Sequence, residues 1–254
     1  MASSSKDAGP SSASDNAARV LAAHATPLPP ITSNDFGKTF HQFTDCRVLL
    51  IGSGTHGTHE FYEARAAITK HLILHHGFNI VAIEADWPDA EVLDRYVRRR
   101  PVPVTAEGDD PFEHAFQRFP TWVWRNREMH DFVEWLRDFN KGKGPTKCTG
   151  LYGLDLYSME ASMRAVTNYL GHVDGKMAQL ARTRYGRLRP WLDTAEDHDL
   201  DELARVFRDY EGQLVDMARD IQSKRSEYAK SSYADEEEYH SAEQNANLIA
   251  GQLS

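Results

Sequence analysis

One histidine, His56, stands in a glycine-rich loop where its imidazole could act on a substrate. The loop runs from Gly52 to Gly57, reads GSGTHG, and joins a short apolar run to a predicted helix. A histidine in such a place can accept a proton from water and so act as a general base. The glycines around it let a substrate come close to the backbone. The loop therefore predicts a catalytic site in which water is the attacking group.

Two charged residues are predicted to lie near His56. Arg65 falls on the apolar stripe of a predicted helix, where a guanidinium needs a buried partner. Glu84 lies near the end of the apolar run NIVAIEA, and Asp155 ends a later run, KCTGLYGLD. Parallel sheets bind ligands outside the carboxyl ends of their strands, so we expect these groups to converge there. A Glu can orient a histidine that activates water, and an Arg can stabilise negative charge on a carbonyl oxygen.

Three short apolar runs, 47–53, 79–85 and 147–155, predict the strands that position these residues. Helical patterns separate the runs, so strand, helix and strand form βαβ units with parallel strands. After Asp155 the pattern is helical throughout. We therefore predict an α/β fold, with a mostly parallel sheet, flanking helices and a long helical excursion.

Apolar residues recur every three or four positions in the predicted helices. In the helix predicted from about Thr58 to His76, the buried stripe contains Phe61, Ile68 and Leu72. In the helix predicted from about Thr121 to Phe139, the buried residues are Met129, Phe132, Val133 and Leu136. The excursion has its clearest helix at Leu200, Leu203, Val206, Tyr210, Leu214, Met217 and Ile221, and ends in an amphipathic segment, 235–253.

Two other chemistries fit part of the pattern. The loop matches the dinucleotide fingerprint G-x-G-x-x-G, but Glu84 follows its last glycine by 27 positions, and the bulky Phe61 and Tyr62 stand where small residues pack best. His56 and His59 form H-x-x-H, which is a metal-ligand spacing on a helix. However, His56 precedes the predicted helix, so the two imidazoles need not share a face. We predict neither a bound metal nor a cofactor.

The overall composition limits the class of partner. A net charge of -9 disfavours nucleic acid and anionic membranes, because both attract basic surfaces. The chain contains no apolar run of about 20 residues, the length that spans a bilayer, and its N-terminus lacks the apolar core of a signal peptide. We predict a cytoplasmic protein with a disordered or weakly ordered tail over residues 1–30 and an α/β domain over residues 31–254.

Several long segments resemble the erythromycin esterase family. They are LLIGSGTHGTHEFYEARAAITKHLI (49–73), GFNIVAIEADWPDAEVLDRYVR (77–98), FPTWVWRNREMHDFVEWLR, YGLDLYSMEASMRAV and YHSAEQNANLI. The resemblance extends from about Val48 to Ile249. It implies a metal-independent carboxylic ester hydrolase that opens the lactone ring of macrolide antibiotics and so takes part in the response to antibiotics.

The resemblance also implies roles for individual residues. The family's general base matches His56, its active-site arginine matches Arg65, and its second-strand glutamate matches Glu84. Around these three we expect substrate contacts from Ser53, Thr55, His59, Asp155 and Trp124. Trp124 belongs to the aromatic group FPTWVWRN, which either lines a groove or packs in the core. The expected partner is a small-molecule ester or macrolactone, and the sequence predicts no particular oligomeric state.

Two departures from the family pattern leave an alternative open. The family usually has Glu after the first glycine of the loop, where this chain has Ser53, and a hydroxyl is a weak substitute for a carboxylate that orients a histidine. The family pattern also continues into a later strand and further histidines, so we predict an incomplete domain. The alternative function is that of a non-catalytic member that binds a macrocyclic ligand or a partner protein.

The absence of a cofactor can be tested by thermal unfolding. A ligand at about 100 times its Kd stabilises a protein by about 2.7 kcal/mol, which shifts the Tm by several degrees. We expect no such shift with NAD or FAD at millimolar concentration, and we expect EDTA to leave any hydrolytic rate unchanged. A saturable shift with either dinucleotide, or a loss of hydrolysis in EDTA that Zn²⁺ restores, would contradict this prediction.

Overall fold

The computed structural model describes residues 11–52, 54–101, 110–117, 120–155, 159–188, 200–228, 230 and 236–251. The chain divides into two compact units. The first comprises residues 1–54 and 58–76, and the second comprises residues 55–57 and 77–254.

The first unit is built on a long helix, α2 (His59–His76). Helix α1 (Ser11–His24) precedes it within the predicted tail, and its described side chains are exposed. A 3-10 helix, Gly37–Phe43, packs on α2 at His71. A Cβ added to Gly37 would stand 2.4 Å from the Cβ of His71, so this close approach requires glycine.

The prediction of a strand over residues 47–53 is wrong for those of its residues that the structure describes. Residues 47–52 form no strand, and Ser53 lies outside the described part of the chain. Val48 is 73% exposed and Leu50 is 92% exposed. A strand is stable only when a neighbour takes up its backbone hydrogen bonds. Among the described residues the sheet has two strands, and neither pairs with this run.

Helix α2 is present as predicted, but its buried face differs by one position. Tyr62 is buried together with Ile68, Leu72 and Ile73, whereas Phe61 is 43% exposed. Successive residues of an α-helix are about 100° apart around the axis, so a buried face that includes Tyr62 places its neighbour Phe61 toward the edge of that face. The predicted stripe is correct at Ile68 and Leu72 and wrong at Phe61.

The second unit contains two parallel strands, β1 (Ile80–Asp86) and β2 (Gly150–Asp155). They correspond to the second and third predicted strands, so the α/β class with a parallel sheet and flanking helices is confirmed. Leu151 in β2 is fully buried. β1 is less buried than its sequence predicts, since Ile80 is 64% exposed and burial begins near its carboxyl end, at Ala85.

Helix α3 (Trp87–Val97) follows β1 directly, and helix α4 (Arg127–Phe139) precedes β2. The sequence predicts that α4 begins near Thr121, which is wrong by about two turns. Asn126 caps the helix instead, because its Oδ1 accepts a hydrogen bond from the backbone N–H of Met129 at 2.9 Å. The four predicted buried residues of α4 are all buried: Met129, Phe132, Val133 and Leu136.

Two buried polar side chains attach these helices to β2. Asn140 follows α4, donates to the carbonyl groups of Val97 and Thr149, and accepts from the N–H of Thr149. Asp94 in α3 accepts a hydrogen bond from the N–H of Leu151 at 2.8 Å. Buried polar groups are tolerated when they are paired in this way. These bonds fix the register of α3 and α4 against the strand.

After β2, the described residues of the second unit are mostly helical, as predicted. The helices there are α5 (Met159–Val173), α6 (Gly175–Gly186), α7 (Leu200–Ser223), α8 (Arg225–Tyr228) and α9 (Glu236–Gly251). They share an apolar core that includes Val166, Leu170, Ala181, Leu214, Met217, Ile221, Tyr239 and Ile249. None of the helices within the described residues is both long enough and apolar enough to cross a membrane.

A charged cluster joins α3 to α9, and we call it the α3–α9 ion network. Arg95 in α3 is buried and donates to Glu91 at 2.7 Å and to Glu238 at 2.5 Å. Arg100 donates to Glu238 at 2.9 Å and also to Glu237. Burial alone would lower the pKa of Arg95, but its hydrogen bonds and the charges of Glu238 and Glu91 raise that pKa above its usual value. The guanidinium therefore stays charged inside the fold.

Asp174 connects α6 to the segment after α7. Its Oδ1 accepts from the N–H groups of Lys176 and Met177, and its Oδ2 accepts from Lys224 Nζ at 2.5 Å and Tyr228 Oη at 3.0 Å. The hydrogen bond from Lys224 is the largest cause that lowers the pKa of Asp174 to about 2, and it acts against burial, which would raise that pKa. The charged form of this carboxylate is thus favoured by folding.

This carboxylate should make the stability of the second unit depend on acid pH. The pKa of Asp174 is lower in the folded chain than the ordinary value of about 3.9, so its stabilisation is present above pH 4 and is lost as the pH falls toward 2. After discounting for solvent screening, we expect a loss of about 1–2 kcal/mol in the free energy of unfolding. Asp174→Asn should remove this part of the pH dependence in urea titrations at pH 5 and pH 2.5, whereas Asp131→Asn, at an exposed position, should not. The same pH dependence in all three proteins would contradict the prediction.

Candidate functional site

The carboxyl edge of the two-stranded sheet contains a bulge at one of the predicted site residues. The strands pair regularly from Ile80 with Gly150 to Ile83 with Gly153, and the next pair is Asp86 with Asp155. β1 thus has one more residue than β2 in this interval, and Glu84 lies within it. Bulges next to functional sites redirect side chains out of the regular alternation of a strand. Here the side chain of Glu84 is exposed.

The bulge depends on a close approach between the two strands. A Cβ on Gly153 would stand 2.4 Å from the carbonyl oxygen of Ala85 and 2.7 Å from that of Asp86. Both neighbours are backbone atoms, which cannot move aside as a flexible side chain can. Gly153 is not among the predicted site residues, although a glycine inside a strand pattern is a signal of a bulge or a close backbone contact.

Trp124 also contacts this edge of the sheet. Its indole Nε1 donates a hydrogen bond of 2.8 Å to the backbone carbonyl of Glu84. The ring is half-buried and lies 6.4 Å, centroid to centroid, from the ring of Phe116. The structure therefore brings Trp124 and Glu84 into direct contact. Trp124 acts here on the backbone of the bulge, which the sequence did not indicate.

Two aspartates end the paired strands beside Glu84. Asp86 is buried and Asp155 is half-buried, and their Cα atoms are partners in the sheet register. Asp155 was expected among the substrate contacts, and it lies at the carboxyl edge as that expectation requires. Within the described ranges, no group of three or more His, Cys, Asp or Glu side chains is placed to hold a metal ion.

The histidine loop lies in the second unit as residues 55–57. The N–H of Gly57 donates to Oγ1 of Thr55 at 3.3 Å, which closes a short turn around His56. His56 is exposed, as the sequence predicts. Thr55, one of the expected substrate contacts, is therefore also a structural part of this turn. Ser53 lies outside the described residues, so its expected role stays a prediction.

Arg65 and His59 lie on α2, in the first unit. The guanidinium carbon of Arg65 stands 4.6 Å from the centre of the Tyr62 ring, which is a cation–π distance. Tyr62 is buried, so it supplies the apolar side of the environment that the sequence predicts for Arg65. His59 Nε2 lies 3.6 Å from an oxygen of Glu63, one turn further along the helix.

Open parallel sheets of α/β domains bind ligands outside the carboxyl ends of their strands, which is where Glu84, Asp86 and Asp155 lie. A family model described as erythromycin esterase matches residues 73–253 of the chain. This is most of the sequence, and the chain belongs to the erythromycin esterase family. The matched range contains Glu84, Trp124 and Asp155, and it begins after His56 and Arg65.

Two solved structures are similar to this one. One is a protein from Bacillus cereus, with 23% sequence identity and a TM-score of 0.69. The other is described as a succinoglycan biosynthesis protein, with 18% identity and a TM-score of 0.70. Each alignment covers 93% of this chain and 55% of the solved chain, so the chain spans about half the length of these structures. At these identities the likeness shows a shared fold.

The close approach at Gly153 can be tested by adding a single methyl group. Gly153→Ala should lower the free energy of unfolding by about 1–3 kcal/mol, because the Cβ overlaps two backbone oxygens of β1. Gly144→Ala is the matched control, since a Cβ there meets nothing within 4 Å. Urea denaturation followed by tryptophan fluorescence measures both. An equal effect of the two substitutions would contradict the proposed packing of the bulge.

Proposed function

We propose that this protein is a carboxylic ester hydrolase of the erythromycin esterase type, which adds water to an ester or a macrolide lactone. The observation that carries the proposal is the position of Glu84. It lies in the matched family region, in the bulge at the carboxyl edge of the parallel sheet, with its backbone held by Trp124 and its side chain exposed. A carboxylate in this place is available to a substrate or to a catalytic base.

In the proposed reaction, His56 is the general base. Its imidazole removes a proton from water while the water oxygen forms a bond to the ester carbonyl carbon, and the carbonyl π electrons move onto oxygen. Arg65 stabilises the negative charge of that oxyanion, and Glu84 holds the imidazolium that has formed. The intermediate then collapses: the C–O bond to the alcohol breaks, and the imidazolium returns its proton to the leaving alkoxide. The products are an acid and an alcohol, or one hydroxy acid from a lactone.

Features of each unit support these roles. His56 is exposed in a turn closed by Thr55 and Gly57, so water and substrate can reach it. Arg65 is half-buried against the face of Tyr62, which favours one orientation of its side chain. A preorganised cation stabilises developing negative charge more effectively than a mobile one. Cytoplasmic location and a role in the response to antibiotics belong to this proposal as predictions.

The central test is hydrolysis of a macrolide lactone followed by mass spectrometry. We expect a product heavier by one water, and we expect His56→Ala to lower its rate by at least about 100-fold, the usual contribution of a general base. The control is His24→Ala, which changes an exposed histidine at the end of α1. Circular dichroism should show the same helix content in all three proteins. Equal rates in the two variants would exclude His56 as the base.

Ser53 favours a second candidate, a non-catalytic member that binds a macrocyclic ligand or a partner protein. A serine stands where the family usually has a glutamate, so a group that orients the histidine is missing. Ser53→Glu separates the two candidates. A gain in hydrolysis supports the enzyme, whereas saturable macrolide binding without any product, in both the parent chain and this variant, supports the binding protein.

A further inference from the structure

Three histidines lie together in the last turns of α2, in the first unit. His71 is half-buried, and His75 and His76 are exposed. The ring centre of His71 stands 4.7 Å from that of His75 and 5.2 Å from that of His76. Protonated imidazoles this close would repel one another. The cluster is therefore favourable while its rings are neutral, and neutral imidazole is the form that binds metal ions.

His71 and His75 are four positions apart on the same helix. Side chains at this spacing lie on one face of a helix, one above the other. It is also the spacing at which a helix presents two histidines to one zinc ion in the H-E-x-x-H motif. His76 lies about 140° around the helix axis from His71, off that face. The pair His71–His75 therefore has the arrangement of a chelate.

The separation of the two rings fits a shared ion. A zinc ion lies about 2.1 Å from a ligating imidazole nitrogen, and so about 3.2 Å from the centre of that ring. Two rings that bind one ion at an angle of about 90–110° then have centres about 4.5–5.2 Å apart. The 4.7 Å between His71 and His75 falls inside this range. The last side-chain torsion of histidine is broad, so each ring can turn a nitrogen toward the ion.

His71 is held in place by its packing. A Cβ on Gly37 would stand 2.4 Å from the Cβ of His71, so the 3-10 helix lies directly against this side chain. Burial is the largest cause that lowers the pKa of His71, and the neighbouring histidines and Lys38 lower it further. A lower pKa favours the neutral ring and so reduces the competition between protons and a metal.

The end of the helix also favours a cation. α2 ends at His76, and the last four carbonyl groups of a helix have no partner within it and carry its partial negative charge. On the neighbouring 3-10 helix, the ammonium of Lys38 pairs with Asp35 at 2.7 Å, which weakens its repulsion of a bound cation. His41 is occupied as well, because its Nδ1 donates to the backbone carbonyl of Lys38 at 3.1 Å.

We propose that His71 and His75 bind one divalent transition-metal ion of the zinc class at the carboxyl end of α2. Since no group of three or more His, Cys, Asp or Glu side chains in the described ranges is placed to hold a metal, the chain supplies two imidazoles and water takes the other positions. The ion links two successive turns of the helix. This site is separate from the H-x-x-H pair of His56 and His59, and it does not rest on the proposed hydrolysis.

The first test is isothermal titration calorimetry of the untagged full chain with zinc chloride at neutral pH. We expect one saturable site, and we expect His75→Ala to raise the Kd at least about tenfold, since loss of even a group that supports a metal ligand costs about 10–100-fold. His75 is exposed, so this substitution leaves the packing of α2 intact. His76→Ala is the matched control, an exposed neighbour off the chelating face, and should change the Kd by less than about twofold. Mg²⁺, which prefers oxygen ligands, should not bind.

Amide hydrogen exchange then locates the ion. Zn²⁺ should slow exchange in the last turn of α2 in the parent chain and in His76→Ala, because the ion links successive turns, and should not do so in His75→Ala. Absence of zinc binding, equal Kd values for the two variants, or protection confined to the segment with His56 and His59 would each overturn the proposal. A chain that binds Zn²⁺ through His75 but hydrolyses no lactone would refute the proposed enzyme and leave this site standing.

Discussion

The attachment of α9 to α3 by charged side chains is the interaction on which the second unit depends. Arg95 is buried among carboxylates from both helices, and Arg100 adds further bonds to the two glutamates of α9. Removing one partner of a buried ion pair leaves the other charged and unpaired, which costs far more than the intact pair contributes. The network therefore specifies one arrangement of the two helices. Through Asp94 and Leu151 the same helix α3 is also bonded to β2, so the ion network is continuous with the sheet.

The carboxyl edge of the sheet combines a rigid backbone with an exposed side chain. Gly153 lets the strands come close, and Trp124 holds the carbonyl of Glu84, so two contacts fix the backbone of the bulge. The carboxylate itself is exposed. Binding and catalysis benefit from groups that are held in place before the substrate arrives, because these groups then lose little conformational entropy on binding. Packing therefore supplies the rigidity of the edge, and the side chain remains available for chemistry.

Sequence patterns correctly predicted most helices, because the backbone hydrogen bonds of a helix are local and its buried face follows from the spacing of apolar residues. The helices around Leu136 and Leu214 were correct because apolar spacing of three and four determines which side of a helix is buried. The run 47–53 resembled a strand, but strand formation depends on a neighbour that local composition does not specify. The predicted start of α4 was wrong because the helix begins where Asn126 caps it. The aromatic residues before Asn126 do not set the start of the helix. For the site, the sequence correctly placed Glu84 near the end of a strand. It could not predict the bulge or the hydrogen bond from Trp124, because both depend on contacts between residues far apart in the chain.

The residues of the ion network are far apart in the chain: Arg95 and Glu238 are separated by 143 positions. At ribosomal speeds of about 5–20 residues per second, α9 emerges roughly 7–30 s after α3. During that interval Arg95 and Arg100 lack the carboxylates of α9. The second unit can therefore close only after α9 has emerged, and until then α3 exposes apolar surface of the kind that chaperones bind.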